Sequence, residues 1–112
     1  MNFEVITTPH FEREAKALAK RHRSFKSDLK ELIDRLSEDP MRGTELGSGI
    51  RKTGLAITSK GRGKAGGARV ITYTIHVSEK SGRVYLVDVY DKADYSTADV
   101  AVIKSMISDW GL

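Results

Sequence analysis

Four cations and four glycines share the segment Ser59-Lys60-Gly61-Arg62-Gly63-Lys64-Ala65-Gly66-Gly67-Ala68-Arg69. Glycine lets a backbone turn sharply and come close to a ligand. Lys60, Arg62, Lys64 and Arg69 bring positive charge to the same place. The chemistry such a segment suits is phosphate binding. Its surroundings strengthen the point: no Asp or Glu occurs from Leu46 to Ser78, while Arg51 and Lys52 add two more cations. The chain carries 19 Lys and Arg against 15 Asp and Glu. With 6 cations in this window, 13 remain to face the 15 acids elsewhere, so the positive charge is concentrated here. A local field of this kind raises the density of anionic partners at a surface. The plain alternative is a solvated hairpin tip.

A second cluster follows the last apolar run: Tyr90-Asp91-Lys92-Ala93-Asp94-Tyr95. Aromatic rings stack on splayed bases and a lysine can meet a backbone phosphate, a pairing suited to single-stranded RNA. Against that stands Tyr90 packed in a core, with Asp91 and Lys92 solvating a strand end.

Other motifs carry less. Gly61, Gly63 and Gly66 form a G-x-G-x-x-G pattern, but a strand follows where the dinucleotide fingerprint needs a helix. Lys64 is followed by Ala65, so the phosphate-loop motif fails too. His10, His22 and His76 are scattered and lack companions at metal-ligand spacing, and there is no cysteine. Glu12 and Glu14, Asp28 and Glu31, and Glu38 and Asp39 read as solvent-facing helical charges. Ser59 has no nucleophile-elbow context.

The elements that must position these residues follow from periodicity. Phe3, Val5 and Thr7 mark a short strand, ended where Thr8 and Pro9 cap and start a helix to about Arg21. Phe11, Ala15, Leu18 and Ala19 form that helix's stripe. A second helix with Phe25, Leu29, Leu32, Ile33 and Leu36 ends before Pro40. Met41 to Gly49 reads as a connecting loop. Three strands follow, Ile50 to Thr58, Ala68 to Val77 and Arg83 to Tyr90, the last two joined by a turn at Ser78 to Gly82. They are apolar almost throughout, which predicts a sheet covered on both faces. Ser96-Thr97-Ala98-Asp99 has a capping-box arrangement before a third helix presenting Ile103, Met106, Ile107 and Trp110. The expected fold is α+β, ordered β-α-α-β-β-β-α, with a mainly antiparallel sheet packed by two N-terminal helices and a C-terminal helix. At 112 residues it is expected to be a single domain, residues 1–112. No charged leader, long apolar run or membrane-length stretch is present, so a cytoplasmic protein is expected. A pI near 9.4 favours an acidic partner.

Lys60 to Ile71, Tyr73, and Val87-Asp88-Val89-Tyr90-Asp91-Lys92 together resemble the HigB-like branch of the RelE/ParE toxin superfamily. The element order fits as well. The resemblance implies a toxin of a type II toxin-antitoxin system that cleaves mRNA in the ribosomal A site as a metal-independent endoribonuclease. It implies no cofactor, and a cognate antitoxin, expected to carry a helix-turn-helix domain. Arg69 matches the arginine that contacts the scissile phosphate. Lys60, Arg62 and Lys64 match the basic loop and Lys92 the basic residue after the last strand, so Arg69, Lys64, Lys60 and Lys92 are the expected catalytic set, with Lys64 or Lys60 stabilising the developing charge or passing a proton. Arg51, Lys52, Tyr90 and Tyr95 complete the expected RNA-binding set. Three features depart from the pattern. Gly54 stands where related sequences often have a cation. No Tyr or His follows the start of the third helix, leaving Tyr95 as substitute. Arg69 shares strand parity with Ile71, Tyr73 and Ile75, so it must sit at a strand mouth, behind a bulge or on a partly covered face. Two other readings keep the fold: a ParE-like toxin that binds a protein target, and a decayed module that binds RNA or antitoxin without catalysis.

Overall fold

The first strand, β1 (Asn2–Thr7), leads directly into helix α1 (Pro9–Arg21), and the junction follows from two residues. Pro9 lacks the amide hydrogen that a first helical turn leaves unused. The Thr8 hydroxyl oxygen accepts from the Phe11 amide at 3.3 Å, and its hydroxyl donates to the Leu86 carbonyl at 2.8 Å. Thr8 therefore caps the helix and fastens the cap to the sheet. Helix α2 (Phe25–Glu38) stops two residues before Pro40, as a proline requires of its predecessor. The structure, a computed structural model, describes residues 2–60, 67–94 and 99–112.

Met41 to Gly49 is more than a loop. It contains a short strand, β2 (Thr44–Gly47), which pairs antiparallel with β3 (Ile50–Leu55) through Thr44 with Lys52 and Glu45 with Arg51. The turn between them uses positive φ at Gly47 (101°), Ser48 (55°) and Gly49 (80°), conformations that glycine adopts at little cost. After β3 a single 3₁₀ turn, Thr58–Lys60, precedes the glycine-rich segment, so this strand is shorter than the periodicity suggested. Strands β4 (Ala68–Ser78) and β5 (Ser81–Asp91) form the long central hairpin, and α3 (Val100–Asp109) closes the chain. The α3 cap is Asp99, whose carboxylate accepts from the Ala101 and Val102 amides at 3.0 and 3.3 Å. Ser96, Thr97 and Ala98 of the capping-box pattern lie outside the described residues.

The sheet order is β1-β5-β4-β3-β2, with β1 parallel to β5 and the other neighbours antiparallel. Apolar strands meet helices on both faces. On one face α1 and α2 bring Phe11, Leu18, Phe25, Leu32 and Leu36 onto Leu55, Val70, Leu86 and Val89. On the other, α3 brings Ile103 and Ile107 onto Ile50, Ile71, Val87 and Tyr90. A bulge between Ile71 and Thr72 leaves Val87 without a register partner and points it into the α3 core beside Ile71. No helix among the described residues is long and apolar enough to cross a membrane.

Candidate nucleic-acid interface

Arg69 is the second residue of β4, at the strand mouth, and its register decides its neighbours. It stands opposite Gly54 of β3 and Tyr90 of β5. Directly paired residues in an antiparallel ladder share a face, so Gly54, Arg69 and Tyr90 form one cross-strand row on the α3 side. The parity problem is resolved by position: Ile71, one row further in, is completely buried beneath α3, whereas Arg69 keeps partial exposure at the rim. Gly54 contributes no side chain to this row. The Arg69 Nη1 donates to its neighbour's carbonyl, Ala68 O, at 3.0 Å.

Lys52 pairs with Ile71, so it lies on the same face one row from Arg69. Arg51 does not. It pairs with Thr72, and strand alternation sends it to the opposite face. There it reaches Glu45 at 3.7 Å and the Met41 carbonyl at 3.5 Å. The expectation that Arg51 and Lys52 act together is therefore corrected by the pleat. Tyr90 is corrected by burial: at 6 % exposure its ring belongs to the α3 core and is not a platform for a base. Burial raises its hydroxyl pKa, Arg69 opposes that rise, and Asp88 adds to it.

Lys60 meets a carboxylate. Its Nζ lies 2.8 Å from Oδ1 of Asp91, which is 2 % exposed. The same oxygen accepts from the Ala93 amide at 2.9 Å, and Oδ2 accepts from His22 Nε2 at 3.0 Å and Arg21 Nη2 at 3.3 Å. Burial alone would raise the Asp91 pKa. Hydrogen bonds from Lys60, Ala93 and His22 outweigh it and hold the carboxyl at about 2. Asp91 does not solvate the strand end, as the plain alternative for this cluster has it; it is the centre of a buried ionic cluster. Lys92, the next residue, is exposed, and its amide donates to the Gly67 carbonyl at 3.0 Å. Arg62, Lys64 and Tyr95 lie outside the described residues.

Two of the three histidines pair with carboxylates far away in sequence. His10 Nε2 is 3.1 Å from Asp88 Oδ1, as His22 is near Asp91, because α1 lies against the end of β5. Their spacing along the chain carried no sign of this. Asp28, expected on a wet helix face, is 8 % exposed and accepts from the Thr58 amide and hydroxyl at 2.9 and 2.6 Å. Burial would raise its pKa, but the bonds from Thr58 and Ser24 bring it below the ordinary carboxylate value. This Asp28 contact fixes the 3₁₀ turn that presents Lys60. Among the described residues no three His, Asp or Glu side chains gather as a metal ion would require.

Among the described residues, a five-stranded sheet with two helices on one face and one helix on the other has the α+β architecture of the RelE-like fold. The chain is similar over 100 % of its length, and over 100 % of the other's, to the E. coli toxin RelE, solved in the free state as a double arginine-to-alanine mutant, with a TM-score of 0.60 and 17 % sequence identity. No protein-family model and no curated protein sequence matches the chain.

Proposed function

We propose that the chain is the toxin of a type II toxin-antitoxin system, of the HigB-like branch, and cleaves mRNA on the ribosome. The observation that carries this reading is the row Gly54–Arg69–Tyr90: a partly exposed arginine at a strand mouth, with Lys52 on its face and exposed Lys92 close to its strand end, on a fold shared with a toxin. A planar guanidinium matches two phosphate oxygens and stays charged at any working pH. In the reaction the ribose 2′-oxygen attacks the adjacent phosphorus as its proton is removed. The bond to the 5′-oxygen breaks, and that oxygen takes a proton, leaving a cyclic phosphate and a 5′-hydroxyl. Arg69 stabilises the charge that builds on the non-bridging oxygens. Lys52, Lys92, Arg62 and Lys64 hold the flanking backbone, and Lys64 also shares the developing charge. The chemistry needs no metal or cofactor. The site of action is the cytoplasm, on translating ribosomes, and a helix-turn-helix antitoxin is the expected partner.

Primer extension on message from a cell-free translation reaction tests the proposal. Breaks within translated codons that require ribosomes and disappear with Arg69→Ala are expected. Intact message with translation still running would move the assignment to a ParE-like toxin that binds a protein target or to a decayed module. A second reading has its own support: Gly54 facing Arg69 and the burial of Tyr90 both remove groups that a nuclease uses, which favours a decayed RNA-binding module. That reading predicts RNA binding by the purified chain, weakened by Arg69→Ala, and no cleavage.

A further inference from the structure

We infer that Asp91 is a positioning residue that holds the Lys92 turn against the mouth of the Arg69 strand, and that Lys60 is its counter-ion and not a phosphate ligand. The inference rests on the ribonuclease reading for its consequences, though not for its geometry. Asp91 ends β5 and pairs with Ala68, one residue from the Arg69–Tyr90 pair. Its two carboxylate oxygens receive donors from three separate places: Arg21 and His22 at the end of α1, Lys60 at the end of the 3₁₀ turn, and the Ala93 amide just downstream. The main chain is fastened at the same point. The Asp94 amide donates to the Asp91 carbonyl at 2.9 Å, Arg21 Nη1 reaches the Asp94 carboxylate at 2.7 Å, and the Lys92 amide donates to Gly67 at 3.0 Å.

Gly67 fits there because it has no Cβ; one built on it would stand 2.2 Å from the Leu55 carbonyl oxygen. Lys92 is thus pinned through its backbone two residues before Arg69, with its side chain left exposed. Lys60 is the opposite case, with its ammonium against an ionised carboxylate and its side chain 16 % exposed. Removing Lys60 takes from Asp91 its 2.8 Å ion pair, and removing Asp91 leaves the largely buried Lys60 ammonium without its carboxylate, so the turn loosens and Lys92 loses its position relative to Arg69. Misplacement of a binding group by about 1 Å can cost on the order of 10²-fold in rate.

The test is a double-mutant cycle on ribosome-dependent cleavage with Lys60→Gln, Asp91→Asn and the pair, beside Lys60→Arg, at a temperature where each variant is folded. Hydrogen exchange of the Lys92 amide is followed in the same proteins. Expected are losses of roughly 10- to 100-fold for each single variant, no further loss in the double, and near-normal cleavage with Lys60→Arg. Arginine keeps the ion pair but cannot exchange a proton. Lys92 exchange should accelerate about tenfold or more in Lys60→Gln and Asp91→Asn alike. Should Asp91→Asn fail to fold, Lys60→Gln against Lys60→Arg still decides. Loss of cleavage in Lys60→Arg with Lys92 exchange unchanged would give Lys60 a direct catalytic part and overturn the inference. If the wild-type chain cleaves nothing, the ribonuclease reading fails, and the exchange data alone then judge the clasp: acceleration in both variants supports it, and none in either overturns it.

Discussion

Lys60 and Arg69 belong to the same acid-free window, yet they have opposite surroundings. Lys60 faces Asp91 at 2.8 Å, inside a cluster that draws on α1, the 3₁₀ turn and β5. Arg69 faces a glycine on one side and a buried tyrosine on the other, at the rim of the α3 face. Charge counted along a chain is therefore not charge presented to a ligand. The cluster at Asp91 contributes to stability; the row at Arg69 is the one to which the proposed function assigns the phosphate.

The comparison breaks most visibly at Asp91. Asp91→Ala leaves Lys60 and His22 without their carboxylate beside a cavity, and breaking a buried pair in this way typically costs about 3–5 kcal/mol. Urea unfolding should show that loss, whereas Arg69→Ala should change stability by about 1 kcal/mol or less. Equal losses at the two positions would erase the distinction drawn between them.

Activity should reverse the ranking. The proposed cleavage depends on charge stabilisation at Arg69, so Arg69→Ala is expected to lower the rate by about 10²- to 10³-fold while the protein melts near the wild-type temperature. Arg69→Lys should recover only a part of this, since an ammonium cannot engage two phosphate oxygens with the same geometry. Full activity in Arg69→Lys would show that a point charge suffices.

The pH dependence separates the two regions in another way. Asp91 titrates at about 2 in the folded chain against an ordinary 3.8. A carboxyl depressed by folding contributes stability that is fully present above the unfolded value and is lost as pH falls through the folded one. The contribution is roughly 2 kcal/mol, complete above about pH 5 and gone below about pH 2. Unfolding free energies measured from pH 6 to pH 2 should show this slope in the wild type and its reduction in Asp91→Asn. An identical slope in both would mean that other carboxyls carry the acid sensitivity.

These contrasts also explain what was legible in the sequence. The helices were readable because their signals are local: Thr8-Pro9 at one start, the spacing of Phe25, Leu29, Leu32 and Leu36, and Pro40 beyond an end. The double-sided sheet was readable because β4 and β5 are apolar on both parities. Strand β2 was not, since Thr44–Gly47 offers one apolar residue and owes its form to pairing with β3. Within the site, parity limited Arg69 to a few positions, and the register with Gly54 and Tyr90 selected one. The Asp91 cluster had no local trace. Arg21 and His22 stand 70 and 69 residues away from it, and only the path of α1 across the sheet brings them together.

The finest test concerns Gly54. It faces Arg69 across the ladder, and its backbone is not among the glycines with positive φ, so a side chain there meets no conformational penalty of that kind. Gly54→Lys would add a cation to the Gly54–Arg69–Tyr90 row, on the sheet face away from the Asp91 cluster. Binding of single-stranded RNA should then tighten by about 3- to 10-fold at low salt. The slope of log affinity against log salt should steepen by about 0.7, the increment for one more neutralised phosphate on a single strand. The same lysine paired into a cluster like that of Lys60 would leave the slope unchanged, because a cation already held by a carboxylate releases no counterions from the nucleic acid. A steeper slope would mark the row as the surface that meets the backbone; an unchanged one would place RNA on another face and leave Arg69 a rim residue of the α3 core.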